Sequence, residues 1–250
     1  MDLNADVGEG FGAWRMGDDG ALMGVVSSAN VACGFHAGGP AVMAGTLRAA
    51  VAGGVVVGAH VSYPDLVGFG RRAMDVAPSD IACDVTYQLG ALEGMARVAG
   101  TRVCYVKAHG ALYHRICVEA PAARALVGAV AGFDPTLALL SAPSTILARA
   151  AEACGLRVVA EAFADRAYRG DGTLVARSEP DSVICEVSVV VARAVRLAVD
   201  GSVLTVDGSV VELATESICL HGDTPGAASL ASAVRDGLGR AGVPVRSFIG

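Results

Sequence analysis

Short runs rich in β-branched residues alternate with longer Ala-rich segments along the whole chain, and this alternation limits the fold more than any other feature. Seven runs have the length and composition of strands: Asp2–Ala5, Ala29–Cys33, Val55–Ala59, Val103–Lys107, Thr136–Leu140, Leu156–Glu161 and Ser217–Leu220. Six segments carry apolar residues at helical spacing: Pro40–Ala52, Ser79–Ala99, Ala120–Ala131, Ser144–Ala153, Pro180–Val199 and Pro225–Arg240. Strand-then-helix repetition of this kind predicts an α/β fold with parallel strands.

Seven strands in a chain of 250 residues predict a (β/α) barrel, closed or nearly closed, that forms a single domain over residues 1–250. An open doubly wound sheet is the alternative, because spacing along the chain does not give the order of strands in a sheet. A content of 53% hydrophobic and 18% charged residues suits strands that helices cover on both faces. The segment Ser202–Leu213, with Asp207 and Gly208 at its centre, predicts a β-hairpin outside the main sheet.

Charge and hydropathy argue against several classes of partner. The net charge is −6 and the chain has no basic run, so we expect no nucleic-acid-binding surface and no membrane-binding surface. The N-terminus lacks the basic and apolar regions of a signal peptide. The most apolar stretch, Val183–Val199, is interrupted by Glu186, Arg193 and Arg196, which argues against a transmembrane helix. We therefore expect a cytoplasmic protein.

The cysteines point to core packing rather than to chemistry. Seven are present and no two of them form a Cys-x-x-Cys pair, so a zinc ribbon, a thioredoxin-type site and a secreted disulfide framework lose support. Cys104 and Cys219 lie in apolar runs, where a free thiol behaves as a small hydrophobic group. Cys33 lies near His36, but in an apolar strand it would need a lowered pKa to act as a nucleophile. No Gly-x-Ser-x-Gly elbow is present.

Polar side chains gather where the predicted strands end. These residues are Asn4, Asp6, Glu9, His36, His60, Asp65, Lys107, His109, Asp165, Arg166, His221 and Asp223. In a parallel α/β fold the carboxyl ends of the strands meet at one rim, where ligands bind. One histidine is more often structural than functional, but four of the five histidines reach this rim independently, which favours a site. His114 lies in a helical pattern and is interpreted as structural or peripheral.

Lys107 is a separate indication of the same site. It is the single lysine among 19 Lys and Arg residues, and it ends a predicted strand two positions before His109. An ammonium is a compact donor whose pKa can shift on burial, which a guanidinium does not reproduce. Drift under an arginine-rich composition is the alternative explanation. The position at a strand end favours a functional lysine.

Phosphate and metal binding are left open by the residues themselves. The glycines after the first two strands do not form a phosphate-binding loop or a dinucleotide fingerprint, and tight turns explain them more simply. Histidine and aspartate at strand ends are common ligands of hydrolytic Zn²⁺ or Mn²⁺. No sequence spacing fixes a pair of ligands, so a divalent metal is an alternative without assigned residues.

The polar segments resemble the LamB/YcsF family, whose members are A subunits of the ATP-dependent 5-oxoprolinase. The matching segments cover nearly the whole chain in order: Asp2–Gly12, Ser27–Gly38, Gly58–Arg72, Tyr87–Leu92, Val106–Tyr113, Glu161–Tyr168 and Ser217–Gly226. The resemblance implies a distorted seven-stranded (β/α) barrel related to the glycoside hydrolase/deacetylase fold. It also implies opening of the lactam ring of 5-oxoproline to glutamate, coupled to ATP hydrolysis, with partner subunits B and C.

The residue roles are hypotheses that combine the resemblance with the chemistry of each side chain. The catalytic candidates are Asp6, His36, His60, Lys107, His109 and His221. The substrate-binding candidates are Asn4, Glu9, Asn30, Asp65, Arg72, Asp165, Arg166 and Asp223. Phosphorylation of the amide oxygen would be followed by attack of water and collapse to glutamate and phosphate.

Several assignments within this mechanism stay open. Lys107 and His36 would balance phosphate or oxyanion charge. Water would be activated by Asp6 or His109, and the ring nitrogen would be protonated by His60 or His221. Arg72 or Arg166 would hold the substrate carboxylate.

Two rival functions remain at this stage. The first is a metal-dependent amide or N-acetyl hydrolase that does not use ATP. The second is a non-catalytic metabolite-binding subunit that regulates its partners.

Overall fold

The computed structural model describes residues 1–222 and 226–249, and its centre is a closed barrel of seven parallel strands. The first six follow one another around the barrel: β1 (Asp2–Val7), β2 (Ser28–Ala32), β3 (Val56–Val61), β4 (Val103–Ala108), β5 (Ala138–Ser141) and β6 (Val158–Phe163). An antiparallel hairpin of β7 (Ser202–Leu204) and β8 (Val210–Glu212) stands apart. The last strand, β9 (Ser217–Leu220), pairs with β6 and β1 and closes the barrel. The predicted barrel and hairpin are confirmed, and the open sheet is wrong.

The described helices are α1 (Asp19–Met23), α2 (Pro40–Gly53), α3 (Pro78–Ala99), α4 (Gly110–Val118), α5 (Ala120–Phe133), α6 (Ile146–Ala153), α7 (Val187–Asp200) and α8 (Ala227–Arg240). The sequence pattern did not predict α1 or assign bounds to α4. Helix α6 begins later than predicted because Ser144 has a φ of 61°, and Thr145 caps the helix through the N–H of Ala148. The predicted start of the last helix at Pro225 lies outside the described residues.

The predicted helix Pro180–Val199 is wrong over its first seven positions, since α7 begins at Val187. The backbone before it pairs with the loop that follows β6. Ala167 donates to the carbonyl of Ser182 at 3.0 Å, and Ile184 donates to that of Asp165 at 2.8 Å. These bonds use the groups that a helix would need for its own ladder.

The inner face of the barrel carries a polar network, because polar side chains recur at every second position of several strands, most regularly of β1. Along β1, Asp2, Asn4 and Asp6 alternate with apolar residues that belong to the main hydrophobic core. Tyr105 on β4 donates to Asn30 on β2 at 2.7 Å, although these strands are not neighbours. Such a bond can only cross the interior. The strands are therefore buried on both faces. The main apolar core lies outside the barrel, and the interior combines polar residues with a small apolar cluster of Tyr105, Ala138, Leu140 and Val159.

The amino-terminal end of the barrel is covered by residues from late in the chain. The ring of Phe248 packs edge-on against Tyr105, with centroids 5.1 Å apart. The hydroxyl of Ser247 lies 3.2 Å from that of Ser28, at the start of β2. The carboxyl ends of the strands, where the predicted site residues gather, lie at the opposite end.

Within residues 1–222 and 226–249, no single helix is both long and apolar enough to cross a bilayer. Only α4 and α5 taken together reach the required length and hydropathy, and they are bent by 111° at their junction.

Gly58 on β3 makes room for the ring of Tyr105, because a Cβ at Gly58 would lie 2.2 Å from that ring. We expect Gly58→Ala to displace Tyr105 from Asn30 and to lower the free energy of unfolding by about 1–3 kcal/mol. Gly90→Ala is the control: it lies on the exposed side of α3 with no atom within 4 Å of the added Cβ. It should stabilise by about 0.5–1 kcal/mol. Urea unfolding measures both, and equal effects would contradict the placement of Tyr105.

Candidate functional site

A small cavity of about 50 Å³ opens at the carboxyl ends of the strands. Its acidic and basic lining residues are Asp6, His60, Arg71, Lys107, His109, His114, Arg166, Arg177 and His221. A larger cavity of about 510 Å³ adjoins it and shares the walls formed by Tyr113, His114, Phe163 and Leu174. Together the two cavities offer a polar floor and a partly apolar wall.

Lys107 ends β4 inside the barrel and is 2% exposed. Its ammonium lies 3.2 Å from carboxylate oxygens of both Asp6 and Glu161. It also donates to the sulfur of Cys219 at 3.0 Å, and the ring of Phe163 lies 5.2 Å from Nζ. One cation therefore connects side chains of β1, β4, β6 and β9 across the interior.

The charges of this network stabilise one another. Burial by itself would raise the pKa of Asp6, but the charges of His60 and Lys107 outweigh it and hold this pKa well below its usual range. Burial likewise acts to lower the pKa of Lys107, and the charge of Asp6, ahead of other neighbours, raises it well above its usual range. Asn30 adds a hydrogen bond to Asp6 at 2.8 Å. Asp6 and Lys107 are therefore both ionised at neutral pH.

Three histidines and one glutamate form a compact buried cluster beside this network: Glu9, His36, His60 and His109. His36 Nε2 lies 3.2 Å from Glu9 Oε1, and His109 Nδ1 lies 3.0 Å from His60 Nε2. The rings of His36 and His109 are stacked, with centroids 3.9 Å apart. Asp6 Oδ1 approaches His60 Nε2 to 3.4 Å and joins the cluster to Lys107. Burial is the main cause that lowers the pKa of His36 and of His109 well below the usual value.

The loop after β3 is held in its turn by Asp65. This buried carboxylate accepts hydrogen bonds from the N–H of Gly68 and from Nε of Arg72, each at 2.9 Å. The Arg72 side chain is otherwise mostly exposed. Neither Asp65 nor Arg72 lines the cavity, so the structure places this pair in the loop rather than at the cavity.

The same loop then covers the histidine cluster. The carbonyl of Phe69 accepts a hydrogen bond from Nε2 of His109 at 2.9 Å, and Phe69 has a φ of 53°, which is strained for a residue other than glycine. Gly70 follows with a φ of 65°. A Cβ at Gly70 would lie 2.9 Å from both His109 and His36, and closer still to Ser62. The backbone of the loop therefore fixes the orientation of His109.

A second carboxylate–imidazole pair lies across the cavity. Asp165, after β6, accepts hydrogen bonds from the backbone N–H of His221 at 3.0 Å and from its Nδ1 at 2.9 Å. Burial would raise the pKa of Asp165, but His221 outweighs burial and lowers it. The ring of Phe163 stacks on His221 at 5.5 Å. Such a pair fixes the imidazole's orientation and tautomer, as a general base requires.

Cationic side chains surround the opening, because Arg71, Arg166 and Arg177 all line the cavity. Arg166 is buried and donates to the carbonyls of Ser182 at 3.1 Å and Val175 at 2.6 Å, and burial lowers its pKa to about 10. Arg71 and Arg177 are exposed. This surplus of positive charge suits an anionic ligand.

The structure places the sequence-predicted residues in three groups. At the cavity or in the histidine cluster it brings together Asp6, Glu9, His36, His60, Lys107, His109, Asp165, Arg166 and His221. Asn4 and Asn30 lie deeper in the barrel, where Asn30 donates to Asn4 at 2.7 Å. Asp65 and Arg72 lie in the covering loop, and Asp223 lies outside the described residues. His114 is helical as predicted, but it borders both cavities and is nearer to the site than the sequence indicated.

The sequence candidates did not include Glu161, Tyr105, Arg71 and Arg177, which all belong to this region. Glu161 and Tyr105 both carried a signal, since each is a polar residue inside a run that otherwise has the pattern of a buried strand. Arg71 is next to Arg72, which was a sequence candidate, and only the fold of the loop decides which of the two lines the cavity. Arg177 follows no strand, so nothing in the sequence linked it to the rim.

A closed barrel of parallel strands, with ionisable side chains at their carboxyl ends, defines a (β/α)-barrel protein of the class that binds ligands at that end. The sequence matches the LamB/YcsF family over residues 1–250, and the chain belongs to this family.

Relatives of the chain share both its sequence and its fold. A protein of Kocuria rhizophila, named as the A subunit of 5-oxoprolinase, is 60% identical over 248 residues, which cover 99% of this chain and 98% of that protein. A protein of the same name from Paracidovorax citrulli is 54% identical, with 99% of each chain covered. The crystal structure of a lactam utilization protein from Thermus thermophilus superposes with a TM-score of 0.94 at 46% identity, again over 99% of each chain.

The close approach at Gly70 can be tested against a glycine without neighbours. Gly70→Ala should lower the free energy of unfolding by more than about 2 kcal/mol, because left-handed strain adds to a clash with His36, His109 and Ser62. Gly100→Ala has a similar positive φ of 84° and no atom within 4 Å, so it should cost only about 1 kcal/mol. Chemical unfolding of both variants gives the difference. Equal losses would mean that the loop does not rest on the histidines.

Proposed function

We propose that this protein is the catalytic A subunit of an ATP-dependent 5-oxoprolinase. The enzyme opens the lactam ring of 5-oxoproline to glutamate while ATP is hydrolysed to ADP and phosphate. The name shared by the relatives supports the reaction, and the cavity with a buried Lys107 and a cationic opening is the observation in this chain that carries it. We also propose a cytoplasmic location, where the free cysteines of the chain would stay reduced.

The two joined cavities suit a small anionic ring. The substrate carboxylate would be held by Arg71 and Arg177, whose exposed guanidinium groups border the opening. This assignment replaces Arg72, whose side chain is bonded to Asp65. The apolar part of the ring would lie against Phe163 and Leu174, which form the shared wall.

The reaction needs charge stabilisation and proton transfer. A lactam amide is a poor electrophile, and phosphorylation of its oxygen would activate the carbonyl carbon for attack by water. The carbon–nitrogen bond would then break as the ring nitrogen takes a proton, and a second water would hydrolyse the resulting acyl phosphate to glutamate and phosphate. Lys107 would stabilise the negative charge that develops on the amide oxygen. The pair of Asp165 and His221 would take a proton from the attacking water, since the carboxylate stabilises the imidazolium that results. The imidazolium of His221 would then return this proton to the ring nitrogen.

This chain would work with the partner subunits B and C. It has no phosphate-binding loop of the common type, so we infer that the partners contribute part of the nucleotide chemistry. The cavity in this chain would then bind an anion through its lysine and arginines, although the chain has no recognisable nucleotide-binding motif.

Reconstitution tests this function. Glutamate formed from 5-oxoproline should require this chain, the partner subunits and ATP, and the chain alone should give little or none. In the full complex His221→Gln should lower kcat by about 10²–10⁴-fold, because a positioned general base contributes this much.

The control is Arg97→Gln, on the exposed surface of α3, which should keep normal turnover. Glutamate formation without ATP would indicate an amide hydrolase of another kind. Ligand binding without any turnover in the full complex would indicate a regulatory role.

A further inference from the structure

We propose that Glu9, His36, His60 and His109 bind one divalent transition-metal ion, of the class that zinc represents. The four side chains come from the segments after β1 and β2, from β3 and from the end of β4. Each offers one ligand atom, and all four atoms lie within 4.8 Å of one another. All four residues are at most 5% exposed. The proposal concerns ion binding and does not depend on the function proposed above.

The hydrogen bonds of two of the rings point their free nitrogens at each other. His60 Nδ1 lies 3.2 Å from the carbonyl of Lys107, and His109 Nε2 lies 2.9 Å from that of Phe69. A carbonyl only accepts, so each of these nitrogens carries the hydrogen. The remaining nitrogens, His60 Nε2 and His109 Nδ1, then face each other at 3.0 Å with their lone pairs. A cation between them, either a proton or a metal ion, is needed to make this contact favourable.

The distances fit a metal ion better than a single shared proton. Zinc–nitrogen bonds of about 2.0–2.1 Å in a tetrahedral site leave ligand atoms about 3.3 Å apart. The measured separations are 3.0 Å between His60 and His109, 3.2 Å between His36 and Glu9, and 3.6 Å between His109 and Glu9. A proton shared by His60 and His109 would explain only the first of these approaches, and the second would need a further proton on His36 Nε2. One metal ion would account for all three together once the stacked rings of His36 and His109 turn so that both nitrogens face it.

The chemistry of the donor set selects the class of ion. Three imidazoles and one carboxylate suit zinc and neighbouring first-row divalent metals, whereas magnesium and calcium prefer oxygen ligands. Backbone carbonyls that hold the outer N–H of ligand histidines are the usual second layer of such sites. Here the carbonyls of Lys107 and Phe69 occupy those positions for His60 and His109.

The covering loop supports the same interpretation. Phe69 keeps a strained φ of 53°, and that conformation aims its carbonyl at His109. Gly70 leaves no space between the loop and the rings of His36 and His109. His60 and His109 also line the cavity, so an ion bound here would supply Lewis acidity at its wall.

Metal titration of the full chain tests the proposal without any activity assay. The protein is stripped with a chelator, dialysed, and titrated with Co²⁺ and separately with Zn²⁺. Exposed Cys83, Cys154 and Cys185 are blocked beforehand, because thiolates bind both ions. We expect one ion per chain and a visible Co²⁺ spectrum of tetrahedral type, with no thiolate-to-cobalt band.

Three variants locate the ion. Glu9→Gln and His109→Gln should each weaken Co²⁺ binding by at least about 100-fold, since removal of a ligand should cost at least as much as loss of a second-layer contact. His114→Gln, a histidine outside the cluster, should bind as the wild type does. Circular dichroism confirms that each variant is folded, and the wild-type stoichiometry and spectrum need no variant at all.

Two results would overturn the proposal. One is the absence of stoichiometric binding by the stripped wild-type chain, or binding that Glu9→Gln and His109→Gln leave unchanged. The other is an NMR titration in the presence of metal that shows a proton shared between His60 and His109. The function proposed above would be unaffected by either result, because its assay measures glutamate.

Discussion

The buried ammonium of Lys107 is the interaction on which the rest of the site depends. It lies 3.2 Å from both Asp6 and Glu161, which come from different sides of the barrel. Burying a carboxylate without a partner costs several kcal/mol, so this cation lowers the free-energy cost of the polar interior. Together with His60, which has the larger effect, it holds the pKa of Asp6 low, and Asp6 in turn accepts a hydrogen bond from Asn30. The lysine thus connects the stability of the barrel to the histidine cluster.

The barrel, and the gathering of polar side chains at one of its ends, could be predicted from sequence because both depend on simple periodicities. Alternating strand and helix segments imply right-handed crossovers between parallel strands, which place consecutive strands side by side. The pairing of β3 with β4 then sets His60 directly beside Lys107. The same argument predicted Asp6 and Asp165 at the rim, since each lies at or just after the end of a strand. Resemblance to a known family agreed with this picture independently.

Other features depend on contacts that spacing along the chain does not encode. Whether Arg71 or Arg72 reaches the cavity is decided by the bond between Arg72 and Asp65, which turns one arginine away. The contact of Lys107 with Glu161 depends on how the barrel closes, since β4 and β6 are not neighbours. The late start of α7 likewise results from backbone bonds to a distant loop. Features set by a local sequence pattern could therefore be predicted, whereas features set by long-range contacts could not.

A double-mutant cycle on Lys107 and Glu161 tests the central claim most directly, with the free energy of unfolding as the measurement. Lys107→Met should lower it by about 3–5 kcal/mol, because Asp6 and Glu161 lose their buried cation. Adding Glu161→Gln should restore at least about 1 kcal/mol, since one of the uncompensated charges is then removed. A Lys107→Met variant within about 0.5 kcal/mol of the wild type, or strictly additive effects in the double variant, would contradict the account.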